Sequence, residues 1–311
     1  MRKKPNDYLY LKNNQTKMLI EISNLNKSYA NHQALKNINI NIPKQSIFGL
    51  LGPNGAGKTS LIRILTQITQ ADSGKIIFDG EPLKEKHIYE IGYLPEERGL
   101  YKKMQIGEQL LYFAELKGLS STEAKKKVKY WVDKFEIKDW LNKKVEELSK
   151  GMQQKVQFIA SVLHQPKLII LDEPFSGFDP QNAQLLVNEI LKLRDEGSTI
   201  IFSTHRMDTV EKLCDEIAMI NKSEVVLSGN KNDIKQQFSF DEYSLQFNGN
   251  LVESNHYEII KNTDNEAIIK ILTNKKEVIT FINNQVELQS FLPKIATMED
   301  IFIKMVNENK A

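Results

Sequence analysis

The sequence predicts an α/β fold: a parallel sheet covered by helices, an antiparallel β subdomain, a helical insertion and a small C-terminal α+β module. Three observations predict it. Apolar runs of strand length, among them Lys167-Leu168-Ile169-Ile170-Leu171 and Ile200-Ile201-Phe202, read as strands buried on both faces. Between about residues 105 and 148 the apolar period becomes helical. Gly52-Pro53-Asn54-Gly55-Ala56-Gly57-Lys58-Thr59 lies between the apolar run Ser46 to Leu51 and the helical run Leu61 to Leu65, and fits the pattern G-x-x-x-x-G-K-[ST].

The bulk properties allow this organisation. The 311 residues are 41% hydrophobic, enough for the cores of one large and one smaller domain. No stretch approaches the roughly 18 to 20 apolar residues of a membrane span, and nothing resembles a signal peptide, so a membrane role is expected to run through a partner. Cys214 is the only cysteine, which excludes an intrachain disulfide and suits a reducing compartment; as a small buried hydrophobe it needs no reactive role. The net charge of +2 gives no reason to expect nucleic acid. Residues 1–17 carry Arg2, Lys3, Lys4, Lys12 and Lys17 against Asp7 alone, leaving 37 basic and 39 acidic side chains elsewhere, and read as a flexible basic tail. Order is expected from Met18, itself a plausible start of the functional polypeptide.

In chain order, Met18-Leu19-Ile20-Glu21-Ile22 and Ile38-Asn39-Ile40-Asn41-Ile42 alternate as strands of an early antiparallel sheet, and Gly74 to Phe78 adds a strand closed by Asp79-Gly80. In the insertion, Ile106, Leu110, Phe113 and Ala114 share one helical face, Val128, Trp131, Val132 and Phe135 another. Both tryptophans, Trp131 and Trp140, are assigned to core packing. Val156, Ile159, Ala160 and Leu163 mark a further helix. A hairpin is expected over Glu216 to Leu227, turning at Asn221-Lys222-Ser223, then a polar helix to Phe238. From about residue 240 the texture changes to short strands at Tyr243 to Phe247, Tyr257 to Ile260, Ala267 to Ile271 and Val286 to Phe291, with helices near Glu277 to Ile282 and Met298 to Val306. The expected boundaries are a tail over 1–17, a main domain over 18–238 with its helical insertion at about 97–165, and a small domain over 239–311.

The residue types carry a definite chemistry. Three glycines let backbone N–H groups turn inward around an anion, a helix N-terminus adds its dipole, and Lys58 adds a full charge. Thr59 offers Mg²⁺ a hydroxyl, with Ser60 beside it. The run Leu168 to Leu171 ends in Asp172-Glu173, which places Asp172 to hold the metal and Glu173 to orient water toward a γ-phosphate.

Leu148-Ser149-Lys150-Gly151-Met152-Gln153-Gln154-Lys155, Ser176-Gly177-Phe178-Asp179 and the histidine of Ser203-Thr204-His205 complete the set. Together these motifs make residues 19–230 resemble the ATP-binding subunit of an ABC transporter, with the fold of a P-loop NTPase. The resemblance implies an ATPase that binds ATP and Mg²⁺ and works as a homodimer, each phosphate loop facing Ser149 and Gly151 of a second ATP-binding subunit. It implies that Glu173, His205 as γ-phosphate sensor and Lys58 are catalytic, and that adenine stacks on Tyr29.

Two segments depart from the family pattern. Lys150 and Met152 interrupt the usual Leu-Ser-Gly-Gly-Gln, and Glu96, in Tyr93-Leu94-Pro95-Glu96-Glu97-Arg98-Gly99-Leu100-Tyr101, stands where a metal-touching glutamine is usual. A carboxylate remains a hard ligand for Mg²⁺. Both departures resemble the ATPases of ABC-2-type exporters, including sodium-extrusion and drug-resistance types, as does Ala296-Thr297-Met298-Glu299-Asp300-Ile301-Phe302 near the end. That branch implies a separate multi-span membrane permease and a cytoplasmic chain held peripherally on the inner face of the cell membrane. A soluble ABC ATPase acting on ribosomes or DNA is the alternative.

Overall fold

The computed structural model describes residues 17–30, 32–96, 99–175, 177, 180–238 and 242–308. The expected tail therefore lies outside the described residues, except Lys17, as do Ser176, Phe178 and Asp179 of the predicted loop after Glu173. The chain forms two compact units, one of residues 1–205 and 216–228, the other of 206–215 and 229–311. The segment Arg206 to Asp215, grouped with the main domain by sequence, thus clusters with the C-terminal residues.

The first unit is built on a six-stranded sheet, ordered β10-β9-β3-β8-β7-β6. Its strands are β3 (Ile47–Leu51), β6 (Ile91–Leu94), β7 (Leu168–Asp172), β8 (Thr199–Ser203), β9 (Glu216–Asn221) and β10 (Glu224–Asn230). The pairs β3·β8, β3·β9, β7·β8 and β6·β7 are parallel. Every residue of β3, β7 and β8 is buried, which explains runs with no polar alternation. Register aligns Leu50 with Ser203 and Ser203 with Asp172, so three adjacent strands end at one edge of the sheet. Ligands of parallel α/β sheets bind beyond such carboxyl ends.

A second, four-stranded sheet is ordered β2-β1-β4-β5, with β1 (Met18–Tyr29) antiparallel to β2 (His32–Pro43) and to β4 (Ser73–Phe78). The antiparallel subdomain is as expected, but its first two strands run twelve residues each, well past the alternating cores. Their pairing brings Tyr29 opposite His32. Asp79 and Gly80 both take positive φ (51° and 88°), the mirror-image turn that closes a hairpin onto β5 (Glu81–Pro82).

The helical insertion contains α2 (Ile106–Leu116), α3 (Ser121–Lys134) and α4 (Lys150–Val162). Helix α3 opens on a capping box: the Ser120 hydroxyl accepts from Glu123 N–H while the Glu123 carboxylate accepts from Ser120 N–H. Trp131 packs edge-on against Phe158 and is buried, as expected; Trp140 is only half-buried, with Lys155 Nζ 6.0 Å from its ring centre. Helix α4 lies close on β6, since a Cβ on Gly92 would come within 2.0 Å of the Ser161 carbonyl oxygen.

Next to that contact, one backbone carbonyl is shared by two bases, His164 buried and Lys117 half-buried. Lys117 Nζ donates to Ile91 O (2.8 Å) and Ile88 O (2.5 Å), and His164 Nε2 donates to Ile91 O (3.3 Å). His164 Nδ1 is buried without a hydrogen-bond partner, which fits the neutral ring. Burial, reinforced by the Lys117 charge, lowers the His164 pKa to about 4, and burial lowers Lys117 to about 8. Between the unfolded value near 6.5 and about 4, only the unfolded chain takes up this proton, so stability falls as pH falls through that window. The slope is about 1.4 kcal/mol per pH unit for one proton. Urea midpoints of the parent from pH 7 to 4.5 are expected to drop more steeply than those of His164→Leu, by about one proton's worth; parallel curves would show that His164 does not titrate abnormally.

The second unit carries an antiparallel sheet ordered β12-β13-β11-β14, made of β11 (Glu242–Asn248), β12 (Tyr257–Asn262), β13 (Glu266–Ile271) and β14 (Glu287–Pro293). Leu245, Phe247, Tyr257 and Ile269 form its core with Val278 and Ile282 of α8 (Lys275–Asn283). Its other helices are α6 (Met207–Leu213), α7 (Lys231–Gln237) and α9 (Met298–Glu308). Cys214 is buried at the end of α6, and burial pushes its thiol up to about 12, so it behaves as the expected small hydrophobe.

Candidate functional site

The phosphate loop leaves the end of β3 and enters α1 (Lys58–Leu65). Gly52 takes φ +145°, and a Cβ there would meet the Ile220 carbonyl oxygen at 2.1 Å, so only glycine lets the loop pass β9. Gly57 occupies the N-cap position of α1 at φ +119° with no side-chain cap, leaving the first N–H groups for an anion. Gly52 and Ala56 are buried beneath the loop, Pro53 is half-buried, and Asn54 and Gly55 are exposed.

A cleft of about 430 Å³ opens over this loop. Its lining brings together Asn54, Gly55, Gly57, Lys58, Thr59 and Ser60 from the loop and helix with Tyr29, Glu96, Asp172, Glu173 and His205. Lys58 Nζ donates to Gly52 O (2.7 Å) and Pro53 O (3.1 Å), which holds the amine across the loop. Burial lowers its pKa, and the negative charges of Asp172, Glu173 and Glu96 oppose that shift. Asp172 is itself raised, first by burial and then by Glu96 and Glu173. Three carboxylates facing one half-buried lysine leave the site hungry for a cation.

Glu173 is the most constrained of them. Its backbone is left-handed (φ 47°), a conformation non-glycine residues adopt only when their surroundings enforce it. Here the enforcement is visible. Glu173 N–H donates to Ser203 O (2.9 Å); its Oε1 accepts from His205 N–H (2.9 Å) and lies 2.6 Å from His205 Nδ1; its Oε2 accepts from the Thr204 hydroxyl (3.0 Å). With Nδ1 protonated, His205 donates twice to one carboxylate oxygen and fixes its direction. Sequence reasoning named Glu173 and His205 separately; their pairing spans thirty-two residues and has no local signature.

Tyr29 is 39% exposed at the cleft, with Lys27 Nζ 5.3 Å from its ring centre, so it is not spent on core packing. His32 and Ala34 also line the cleft and were not foreseen; the Tyr29–His32 pairing across the hairpin is the only signal that could have found His32. Ser149 and Gly151 do not line it. Ser149 instead caps α4, its hydroxyl accepting from Met152 N–H (3.3 Å), with Ser149 and Lys150 exposed.

The donors Thr59, Asp172 and Glu96 are all hard oxygens, a set that fits Mg²⁺, which keeps several waters and takes its other ligands from phosphate. No three His, Cys, Asp or Glu side chains among the described residues form a dedicated metal cluster.

Comparison with known proteins accounts for both units. Residues 35–176 match the family model "ABC transporter", and residues 229–306 match "ATP-binding protein DrrA1-3-like, C-terminal domain". The chain is 39% identical over 293 residues to the ABC transporter ATP-binding protein YhaQ of Bacillus subtilis, covering 93% of this chain and 98% of that protein. It is 33% identical over 228 residues to the linearmycin resistance ATP-binding protein LnrL of the same organism, covering 72% of this chain and 73% of that protein. A solved ATP-binding subunit of an ABC transporter superposes with TM-score 0.67 at 29% identity, covering 71% of this chain and 93% of that one. A phosphate loop, a carboxylate pair at the end of β7 and a histidine locked to one of them thus coincide with similarity along nearly the whole chain: it belongs to the ATP-binding proteins of ABC transporters, and is an ATPase.

Proposed function

We propose that the chain is the nucleotide-binding subunit of an ABC-2-type exporter, hydrolysing ATP as a homodimer docked on a separate multi-span membrane permease. One observation carries the dimer: Lys58, Asp172, Glu173 and His205 share a cleft that Ser149 and Gly151 do not line, while those two stand at the start of α4, Ser149 exposed and Gly151 half-buried. The cleft is half a site, to be completed by the α4 N-terminus of a second copy.

In that reading Tyr29 stacks the adenine, and the loop from Gly52 to Ser60 cradles the phosphates. Lys58 turns its amine from the loop carbonyls to the β- and γ-phosphates. Thr59 and Asp172 hold Mg²⁺ with Glu96, and the ion, when bound, neutralises charge on the phosphate oxygens. Closure by the second copy excludes water, which strengthens each charged contact. Glu173 then orients one water and takes its proton, while His205 keeps the carboxylate aimed.

Export is supported by likeness to a linearmycin resistance protein and by the DrrA-like C-terminal match. No helix among the described residues is long and apolar enough to cross a membrane. The tagged full chain, purified from detergent-solubilised cells, is expected to bring down a multi-span membrane protein in near-stoichiometric amount. Recovery on ribosomes or DNA without such a protein would overturn the export reading.

A further inference from the structure

Strands β7 and β8 are parallel neighbours, and their register pairs Asp172 with Ser203. The next residue of β7 is therefore Glu173, and the next two of β8, Thr204 and His205, both turn to its carboxylate. All of these residues belong to the first unit. Thr204 has no part in the reading above, yet it is 1% exposed and spends its hydroxyl proton on the candidate base.

The two oxygens of Glu173 are held unequally. Each oxygen of an ionised carboxylate offers about two lone-pair directions. At Oε1 both are engaged, one by His205 N–H (2.9 Å) and the other, with that nitrogen protonated, by His205 Nδ1 (2.6 Å). Among the described residues Oε2 receives a single donor, the Thr204 hydroxyl at 3.0 Å. A proton leaving water must go to an oxygen that still has a lone pair to give, and that oxygen is Oε2. The His205 ring is 69% exposed and, as the phosphate sensor, has a second partner to meet, whereas the Thr204 hydroxyl is packed beneath the site. Threonine suits the place because its branched Cβ restricts χ1 and so fixes the direction of the donor.

We infer that Thr204 is a positioning residue for hydrolysis and that Glu173 Oε2 is the atom that takes the proton of the attacking water: the buried hydroxyl occupies one lone pair of Oε2 and leaves the other for the cleft. In that step the water oxygen bonds to the γ-phosphorus, its proton passes to Oε2, and the bond from that phosphorus to the bridging oxygen of ADP breaks. This rests on the assignment of Glu173 as the base. Nucleotide binding, which depends on the phosphate loop and Tyr29, is left alone.

The test uses the full-length chain, with Thr204 variants made both in the parent and in Glu173→Gln. Thr204→Val keeps the shape and loses the donor, so kcat should fall about tenfold with KM within about twofold, the pattern of an interaction made in the transition state. Titration with a fluorescent ATP analogue should give an affinity within about twofold of the parent. Thr204→Ser restores a hydroxyl without the methyl group that stiffens it, and should recover kcat to within about threefold of the parent. In Glu173→Gln no carboxylate remains to be positioned, so adding Thr204→Val should change the residual turnover by less than about twofold. Unchanged kcat in Thr204→Val, a Thr204→Ser variant as slow as Thr204→Val, or the same fractional loss in both backgrounds would overturn the proposal. If Thr204→Val does not fold, Thr204→Ala is held to the same three criteria. Parental turnover in Glu173→Gln alone would remove Glu173 as the base with Thr204 untouched, so the failure of that assignment is read separately.

Discussion

Glu173→Gln is expected to bind ATP with close to parental affinity and to hydrolyse it roughly 10² to 10⁴ times more slowly, the usual cost of losing a positioned general base. Glutamine is nearly isosteric. Its carbonyl oxygen can still accept from His205 N–H and its backbone can keep the left-handed turn, so the loop should survive. What disappears is a carboxylate able to take the proton of the attacking water. With hydrolysis slowed and closure intact, the variant should accumulate as an ATP-bound dimer, visible by light scattering and absent with ADP. Turnover near the parental rate would remove Glu173 as the base and return its strained backbone to an unexplained feature.

Lys58→Ala is expected to lose ATP binding itself. The amine is the lysine that lies in the cleft between three carboxylates and the loop, and its bonds to the Gly52 and Pro53 carbonyls keep it where phosphate would lie. Hydrogen bonds to charged groups contribute about 1.5 to 3 kcal/mol each, so affinity should fall about 10- to 100-fold or more. Removing the lysine also takes away the positive charge that holds the Asp172 pKa down, so Asp172 should bind its proton more tightly. Titration with a fluorescent ATP analogue checks the first effect. Parental binding would sink the phosphate-loop assignment, whereas weak binding with wild-type turnover at saturation would assign Lys58 to ground-state binding alone.

The parts of the site that were legible in the sequence are the parts built from contiguous residues. Gly52 to Thr59 is a local object: its glycines, lysine and flanking apolar runs occupy one strand-loop-helix, and the structure places them accordingly. The buried strands were legible because full burial removes polar alternation. Every strand and helix expected after residue 240 is present for the same reason, each having a short period of its own. Pairings between distant residues left no such trace. The hydrogen bonds of Thr204 and His205 to Glu173, the sharing of Ile91 O by Lys117 and His164, and His32 at the cleft arise because the fold brings separate strand ends and helix ends together. The clustering of Arg206 to Asp215 with the C-terminal unit was hidden for another reason. Its apolar residues look alike whichever partner buries them, and the groups that Glu211 meets, Lys235 and Met298 N–H, lie tens of residues downstream.

The close approach of Gly92 to Ser161 has a consequence for how such chains can be recombined. Glu96 follows two residues after β6 and α4 starts at Lys150, so the two departures flank a pair of elements that, at Gly92 and Ser161, leave no room for a methyl group. Gln157 of α4 also donates to Pro95 O (3.4 Å), one residue before Glu96. A graft cut at the loops around the helical insertion would part α4 from the strand shaped to receive it. The block to exchange is therefore expected to run from β6 through α4, which carries Glu96, Lys150 and Met152 together.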